Sequence, residues 1–593
     1  MTGAPQWLLL AVGLTTTALG MYLAARPLSA LQVLGLYVGV SCIISGAGDL
    51  LSHRAGSARG FLTGGLVWVV GGLAVVVWVG RSIELLGPVV AVVLTVSGVI
   101  RIAGWVRART AAHALTALFG LAELGWGLTA LTWPDATLLV VAVLFGGRTA
   151  MFGISLIWRG VAGLRATRSR AAAPHPPAPA APGDPSSGWK TGFRWLTAVL
   201  VVVVAAGVLS GSYLFRQGVP VIDGFYDAPQ SVPPGPGHLI RSEPYDGRLP
   251  TGLRAYKLLY TTTATDGTPA LASGVLAVPA DGSRGPAPVI AWAHGTVGVA
   301  RGCAPSIGPD AISTVGMPAM DSLARNGWAM VATDYTGMGA PGRFPYLIGP
   351  GEGHSVLDSV RAARQVPEVR LADRTVVWGH SQGGHGALWA GQLAASYAPD
   401  VRVMGTAALS PAADPLALAR TVAAHPGAPG ASLATAFVAD AYSRTYDDIS
   451  LERILAPAAR TVIKEAASRC TSEKGTLITI LAGLAIARDQ PVLRPDALSG
   501  PVGRRLRDNI PLGPWSAPLF IAQGTSDEVI PIGITRDYVP RACASGAHIE
   551  FQSYDGRTHM SVLEPDSPLT ADLERWTEDR LTGRTAAATC GTH

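Results

Sequence analysis

Hydrophobic positions run almost unbroken through the first third of the chain. From about Leu258 they fall instead into short stretches separated by polar and glycine-rich ones. A membrane crossing needs about 20 mostly apolar residues. Seven stretches qualify: Trp7–Ala25, Leu31–Leu51, Phe61–Gly80, Ile83–Ala103, Ala112–Trp133, Thr137–Trp158 and Trp195–Phe215. The first six read as three copies of a two-helix unit at a period of about 50 residues, the mark of an internal repeat. Pro27, Arg81 and Pro134 break the units, and each second helix carries Ser45-Gly46, Ser97-Gly98 or Phe152-Gly153 at a similar depth. Small residues of this kind let helices approach closely in lipid. Convergent Gly/Ala/Val composition is the alternative.

The expected organisation is therefore a six-span, all-α transmembrane bundle over residues 1–159 and a linker over 160–194. A seventh tether helix over 195–217 follows, then a separate domain over 218–593. The linker's centre, Ala171–Ser187, is too dense in proline for helix or sheet. Glu123 and Arg148 fall in adjacent predicted spans, where ionised groups are costly unless paired, so they are expected to pair; a proton or ion path is the sharper alternative. Met1–Ala25 lacks a basic leader and further spans follow it, so it reads as a retained span, not a cleaved signal.

Composition agrees with a hybrid of membrane and soluble parts: 593 residues, 49% hydrophobic and 15% charged. The net charge of +6 is unevenly spread, with 15 Lys/Arg against 5 Asp/Glu up to Gly218 and 31 against 35 beyond it. The basic excess thus belongs to loops near lipid. Nothing in the pattern suggests nucleic-acid binding. Arg54 and Arg59 follow span two, Arg101, Arg107 and Arg109 follow span four, and Arg159 to Arg194 follow span six. By the positive-inside rule those loops are cytoplasmic, so span seven carries everything after Phe215 outward. Cys42 lies in an apolar stretch. Cys303, Cys470, Cys543 and Cys590 all fall in the second half, an even number that fits two disulfides in an oxidising compartment. Four reduced thiols are the alternative, and the spacings match no zinc motif.

Beyond the tether, Gln217–Pro250 is rich in Pro and Gly and reads as a run over the surface. The segment from Leu258 alternates about Asp266-Gly267, which predicts a hairpin. Short apolar runs follow at Val289–Ala293, Trp328–Thr333, Arg374–Trp378, Val401–Leu409, Pro518–Gln523 and His548–Tyr554. Helical patterns at His354–Gln365, Gly384–Tyr397 and Leu569–Leu581 lie between or after them. Strands alternating with helices predict a mainly parallel α/β sheet. A helix-rich insert over about 412–511 interrupts the rhythm and reads as a cap.

The candidate chemistry centres on GHSQG, Gly379–Gly383. Alone the pentapeptide is weak in so glycine-rich a chain. Its setting lifts it: a buried-strand pattern at Arg374–Trp378 precedes it and an Ala/Leu-rich helix begins just after Ser381. Strand–turn–helix is the frame of the nucleophile elbow of α/β hydrolases, with Gly379 and Gly383 flanking the serine because the turn leaves no room for side chains. A helix N-cap serine is the alternative. The turn would aim the backbone N–H of Gln382 at an oxyanion. A serine hydroxyl needs a base, and the base an orienting carboxylate, in the order Ser, Asp/Glu, His. His559 lies in a loop between the last predicted strand and the last helix, where the base belongs. Asp527 lies just past the strand Pro518–Gln523, with Glu528 and Asp555 as competitors. The second oxyanion donor should follow an early strand, and Thr296 does so in His294-Gly295-Thr296; His294 precedes the serine and reads as structural.

Five motifs, AHGTVGVARGCAPS, DYTGMGAPG, WGHSQGGHGALWA, QGTSDEVIP and the late THMS loop, occur in this order between about Gly247 and the C-terminus. Together they resemble the secretory lipase family of α/β hydrolases. The resemblance implies catalytic Ser381, Asp527 and His559, an oxyanion loop at Thr296, a helical cap over an acyl-binding tunnel, and disulfides Cys303–Cys470 and Cys543–Cys590. It implies a carboxylic-ester hydrolase, acting on a lipid or acyl ester without metal or organic cofactor. Family members are typically secreted, whereas this chain begins with membrane spans. The six-span layout resembles the small HdeD-like acid-resistance membrane proteins, which implies no particular chemistry. Two alternatives stand: acyl transfer to an envelope acceptor, and a stress-response or transport module with an accessory hydrolase.

Overall fold

The computed structural model describes residues 5–51, 58–77, 79–172, 187–216, 221–281, 285–311, 317–428, 430–487, 489, 492–494 and 496–590. The chain divides into two units. One comprises Met1–Gln217, Leu455–Glu465 and Leu477–Val492, the other Gly218–Ile454, Ala466–Thr476 and Leu493–His593.

Among the described residues, the first unit begins with helices α1 (Gln6–Ala25), α2 (Pro27–Leu51), α3 (Ala58–Val77), α4 (Val79–Ala108), α5 (Ala111–Thr132), α6 (Pro134–Ala172) and α7 (Ser187–Arg216). Five of them, α1, α4, α5, α6 and α7, are long and apolar enough to cross a membrane. The other two expected spans, in α2 and α3, adjoin residues outside the described set. Pro27 and Pro134 open α2 and α6 at the first helical position, where the missing N–H would be unpaired anyway. Helix covers both ends of the segment 160–194 expected as a linker. Helix runs on to Ala172 and resumes at Ser187, because its arginines and alanines favour helix; residues 173–186 lie outside the described set.

Glycine decides which helices touch. The closest pairs are α1 with α6, α2 with α3 and α4 with α5. A Cβ on Gly20 would lie 2.2 Å from the Ala150 nitrogen, and one on Gly146 2.4 Å from the Ala24 nitrogen. Gly39 and Gly72 meet in the same way between α2 and α3, as do Gly98 and Gly120 between α4 and α5. Successive helices of the expected two-helix units are therefore not the tight pairs. Backbones this close gain dispersion that larger side chains would prevent. Glu123 pairs with Arg101 across the α4–α5 seam at 3.1 Å, correcting the expected partner Arg148, which is exposed on α6. Late in the same unit, Asp489 accepts hydrogen bonds from the Ser29 backbone N–H and hydroxyl at 2.8 and 2.7 Å. Arg460 meets Glu84 at 3.2 Å.

The second unit is built on a nine-stranded sheet: β1 (Leu239–Pro244), β2 (Leu253–Thr263), β3 (Pro269–Pro279), β4 (Ala287–Ala293), β5 (Ala329–Thr336), β6 (Leu371–His380), β7 (Arg402–Leu409), β8 (Leu519–Gly524) and β9 (Ile549–Tyr554). The order is β1-β2-β3-β5-β4-β6-β7-β8-β9. β1, β2, β3 and β5 pair antiparallel, and from β5 to β9 every pairing is parallel. The predicted hairpin forms, with Gly267 at φ +84° and the Asp266 carboxylate accepting from the Thr268 N–H at 3.0 Å. β1 falls in the stretch read as a surface run. It is a short edge strand whose register shifts between Leu239 and Arg241, so no clean alternation marks it. The core sits under β4 and β6, where Trp292, Trp328 and Trp378 are buried and the last two meet edge to face at 6.2 Å.

The glycine seams generate the first prediction. Gly20→Val drives a branched side chain into the α6 backbone and should sharply lower the melting temperature and yield of the detergent-purified chain. Gly71→Ala, where nothing lies within 4 Å of the added carbon, should leave both unchanged. Equal behaviour of the two variants would contradict glycine-set packing.

Candidate active site

The C-terminal ends of β4, β6, β8 and β9 share one edge of the parallel sheet, the side on which α/β folds gather their chemistry. β6 ends at His380, and the helix Gln382–Tyr397 starts one residue after Ser381. Ser381 is held at φ 58°, ψ −119°, a conformation that costs energy for any residue with a Cβ. The neighbours leave no slack. A Cβ on Gly383 would stand 1.9 Å from the Ala293 carbonyl oxygen of β4, and one on Gly379 2.0 Å from the Gly383 carbonyl oxygen. The Ser381 N–H donates to Leu409 at 2.9 Å, locking the turn onto β7. Gln382, as first residue of its helix, has an N–H without an intrahelical acceptor, and its peptide N–H is thus the available donor beside the serine.

The structure brings Asp527 and His559 together: His559 Nδ1 lies 3.0 and 2.9 Å from the two carboxylate oxygens. Asp527 also accepts from the Val529 and Ile530 N–H groups at 3.0 and 2.8 Å and from the Gln523 amide at 3.2 Å. Burial pushes its pKa up, but the bond to His559 and those N–H groups outweigh it and hold the carboxyl below its ordinary range. Neither competitor has a hydrogen bond to the imidazole among the described residues. Glu528 accepts from the His559 backbone N–H at 3.2 Å, and Asp555 is exposed. With Nδ1 donating to Asp527, the imidazole keeps its lone pair on Nε2. The Ser381 hydroxyl has no hydrogen-bond partner among the described residues, so the serine–histidine contact is not closed here. The link between them is His380, whose ring lies 4.6 Å from that of His559 and whose Nε2 donates to the His559 carbonyl at 3.1 Å. Burial, then the neighbouring His559, pushes His380 down to about 3, so it is a neutral strut.

On the other side, Thr296 follows β4, and its hydroxyl meets the Tyr346 hydroxyl at 2.9 Å. Burial pushes Tyr346 up to about 12, keeping it protonated. His294 stands as read: buried, neutral with its pKa pushed down by burial to about 4, and capped by the Tyr335 hydroxyl donating to its carbonyl at 3.0 Å. Disulfides join Cys303 to Cys470 and Cys543 to Cys590, leaving Cys42 as a free thiol. The first ties the segment behind Thr296 to the insert, where the Thr471 N–H also donates to Val297 at 2.9 Å. Sequence reasoning missed Tyr346, and it missed Glu352 on the helix Gly349–Ala363, a fully buried carboxylate beside Gln382. Their signal was only that polar side chains occupy otherwise apolar, buried stretches.

The DYTGMG motif proves to be scaffolding. Asp334 is fully buried, accepting from the Ser273 hydroxyl at 2.6 Å, the Ser306 N–H at 3.1 Å and the Ser306 hydroxyl. Burial overrides those bonds and raises its pKa to about 6.

A mixed, mainly parallel sheet, with a strand–turn–helix at Ser381 and Asp527 and His559 beyond later strands, defines the class: the second unit has the α/β-hydrolase fold. Residues 313–589 match the secretory lipase family, and residues 11–64 and 118–172 match a short repeat of unknown function, DUF308. The later part of the chain is thus similar to secretory lipases and the earlier part to the DUF308 repeat. It is 26% identical over 397 residues to a probable inactive lipase of Mycobacterium tuberculosis, covering 62% of this chain and 84% of that one. It is 24% identical over 402 residues to lipase A of Moesziomyces aphidis, covering 63% and 84%. Among solved structures, Candida antarctica lipase A in its closed state shares the fold at 22% identity and a TM-score of 0.51, covering 62% of this chain and 88% of that one.

Two predictions follow from this geometry. Gly383→Ala places a carbon inside the Ala293 carbonyl and should cost more than about 4 kcal/mol, seen as loss of the folded hydrolase unit by limited proteolysis. Asp334 binds its proton more tightly in the fold than when unfolded, so its contribution to stability is complete below about pH 4 and is lost as pH rises through about 6. Asp334→Asn removes that titration. The melting temperature of the variant relative to the parent should therefore rise between pH 4 and 7, and a flat difference would contradict it.

Proposed function

We propose that the second unit is a serine carboxylic-ester hydrolase acting on lipid or other acyl esters through an acyl-enzyme. The observation that carries the reading is the buried Asp527–His559 pair beside a serine held in a strained elbow. His559 Nε2 takes the Ser381 proton as the oxygen attacks the ester carbonyl. The oxyanion forms against the N–H groups of Gln382 and Thr296, and the imidazolium, stabilised by Asp527, protonates the departing alcohol. Water then repeats the sequence on the acyl-serine. In this reading the serine–histidine contact closes when substrate binds, since such bonds are often open without it.

An apolar cavity supports an acyl substrate. Tyr346, Leu418, Val438, Tyr442, Val502 and Leu506 line it, and Tyr346 connects it to Thr296. Because one relative's name marks it as inactive, the reading rests on this chain's own residues.

The hydrolase unit is assigned to the extracytoplasmic side of a cell membrane, tethered by the preceding helices. Two disulfides support an oxidising compartment, and the arginine-rich loops support the orientation. Within the first unit, Ser29 and Glu84, next to the breaks at Pro27 and Arg81, bond Asp489 and Arg460 from a segment beyond the last span. Three copies of the repeat account for the spacing of the two matched segments.

The test is turnover of p-nitrophenyl esters by the full chain in detergent. Ser381→Ala should abolish it and Asp527→Asn should lower kcat on the order of 10⁴-fold, with Glu528→Gln close to the parent. Activity surviving in Ser381→Ala would remove the serine from the mechanism.

A further inference from the structure

Glu352 has no role in the mechanism above, yet it is the fully buried hub on which both sides of the oxyanion site converge. Its Oε1 accepts from the Gln382 side-chain amide at 2.9 Å and from the Leu347 backbone N–H at 2.9 Å. Leu347 sits at φ 53°, directly after Tyr346, whose hydroxyl holds Thr296. One carboxylate oxygen therefore reaches the residue that carries one oxyanion donor and the turn that steadies the other.

The second oxygen is anchored just as firmly. Oε2 lies 2.6 Å from His385 Nδ1, and His385 Nε2 lies 2.7 Å from the Asn509 carbonyl. Facing a carbonyl, Nε2 must carry hydrogen, so Nδ1 and Oε2 share a single proton between them. Both residues are fully buried, so the bond between them is shielded from water. Asn509 is fixed in turn: its carbonyl accepts from Trp389 at 3.1 Å and its side-chain oxygen from the Gly349 N–H at 2.9 Å. Nothing in this network is free to turn.

We propose that Glu352 is the positioning residue of the oxyanion hole, setting the separation of the Gln382 and Thr296 donors through Gln382 and the Tyr346-Leu347 turn. This deepens the serine-hydrolase reading and rests on it. Glu352 touches no reacting atom. Its effect appears where the carbonyl polarises, in kcat and not in KM.

The experiment uses the full chain in detergent. It reads kcat and KM for p-nitrophenyl esters and the infrared carbonyl band of a cinnamoyl acyl-enzyme, whose frequency rises when oxyanion hydrogen bonds weaken. Glu352→Leu should lower kcat about 100-fold, the scale of one lost oxyanion donor, with KM within about threefold and the band shifted upward. Glu352→Gln can turn its oxygen to Gln382 and Leu347 and its amide to His385, so it should restore most of kcat and the parent band. Should Glu352→Leu fail to fold, Gln382→Leu decides, since it cuts one tie and leaves the Glu352–His385 pair intact; it should shift the band the same way. An unmoved band in whichever variant folds overturns the proposal, as does a Glu352→Gln variant as impaired as Glu352→Leu. Ser381→Ala run in parallel separates the failures: turnover surviving there sinks the hydrolase reading, whereas its loss beside an unmoved band sinks only the role of Glu352.

Discussion

The hydrolase unit depends on one close approach, Gly383 against the Ala293 carbonyl. Nothing larger than hydrogen fits, so the helix after Ser381 packs directly on β4. β4 and β6 are then forced to be neighbours, ending level with one another. From that follow the location of the Thr296 loop beside the serine and the strained backbone that pushes Ser381 out of the turn. The strain is tolerated because bonds from β7 and the helix over-determine it.

Around that turn the buried acids meet different surroundings. Asp527 receives N–H donors and the imidazole, which hold its carboxyl below the ordinary range. Asp334 receives hydroxyls and one N–H but no cation, and burial raises it to about 6. Glu352 faces the His385 imidazole. Three carboxylates, similarly buried, thus differ according to the donor opposite each.

The first unit obeys the complementary rule. Lipid supplies no hydrophobic drive between helices, so contact area and backbone approach decide which ones pair. Glycines at Gly13, Gly20, Gly146 and Gly153 bring α1 and α6, far apart in sequence, into the closest association. The Glu123–Arg101 pair lies on another such seam.

By itself the sequence determined whatever is local or ordered along the chain. The apolar lengths marked the helices, the period of two marked the hairpin, short apolar runs marked the parallel strands, and the glycines about Ser381 marked the elbow. The order Ser, Asp, His picked out residues that the fold then gathers at one sheet edge. Partnership across distance was beyond it. Composition gave no reason for Glu123 to choose Arg101 over Arg148, or for α1 to choose α6, because such choices depend on where backbones end up. β1 was hidden because an irregular edge strand borrows its structure from β2. Glu352, Tyr346 and His380 were silent for the same reason. A polar side chain acquires a role only when folding strips away water and leaves it one partner, and tertiary structure alone names that partner.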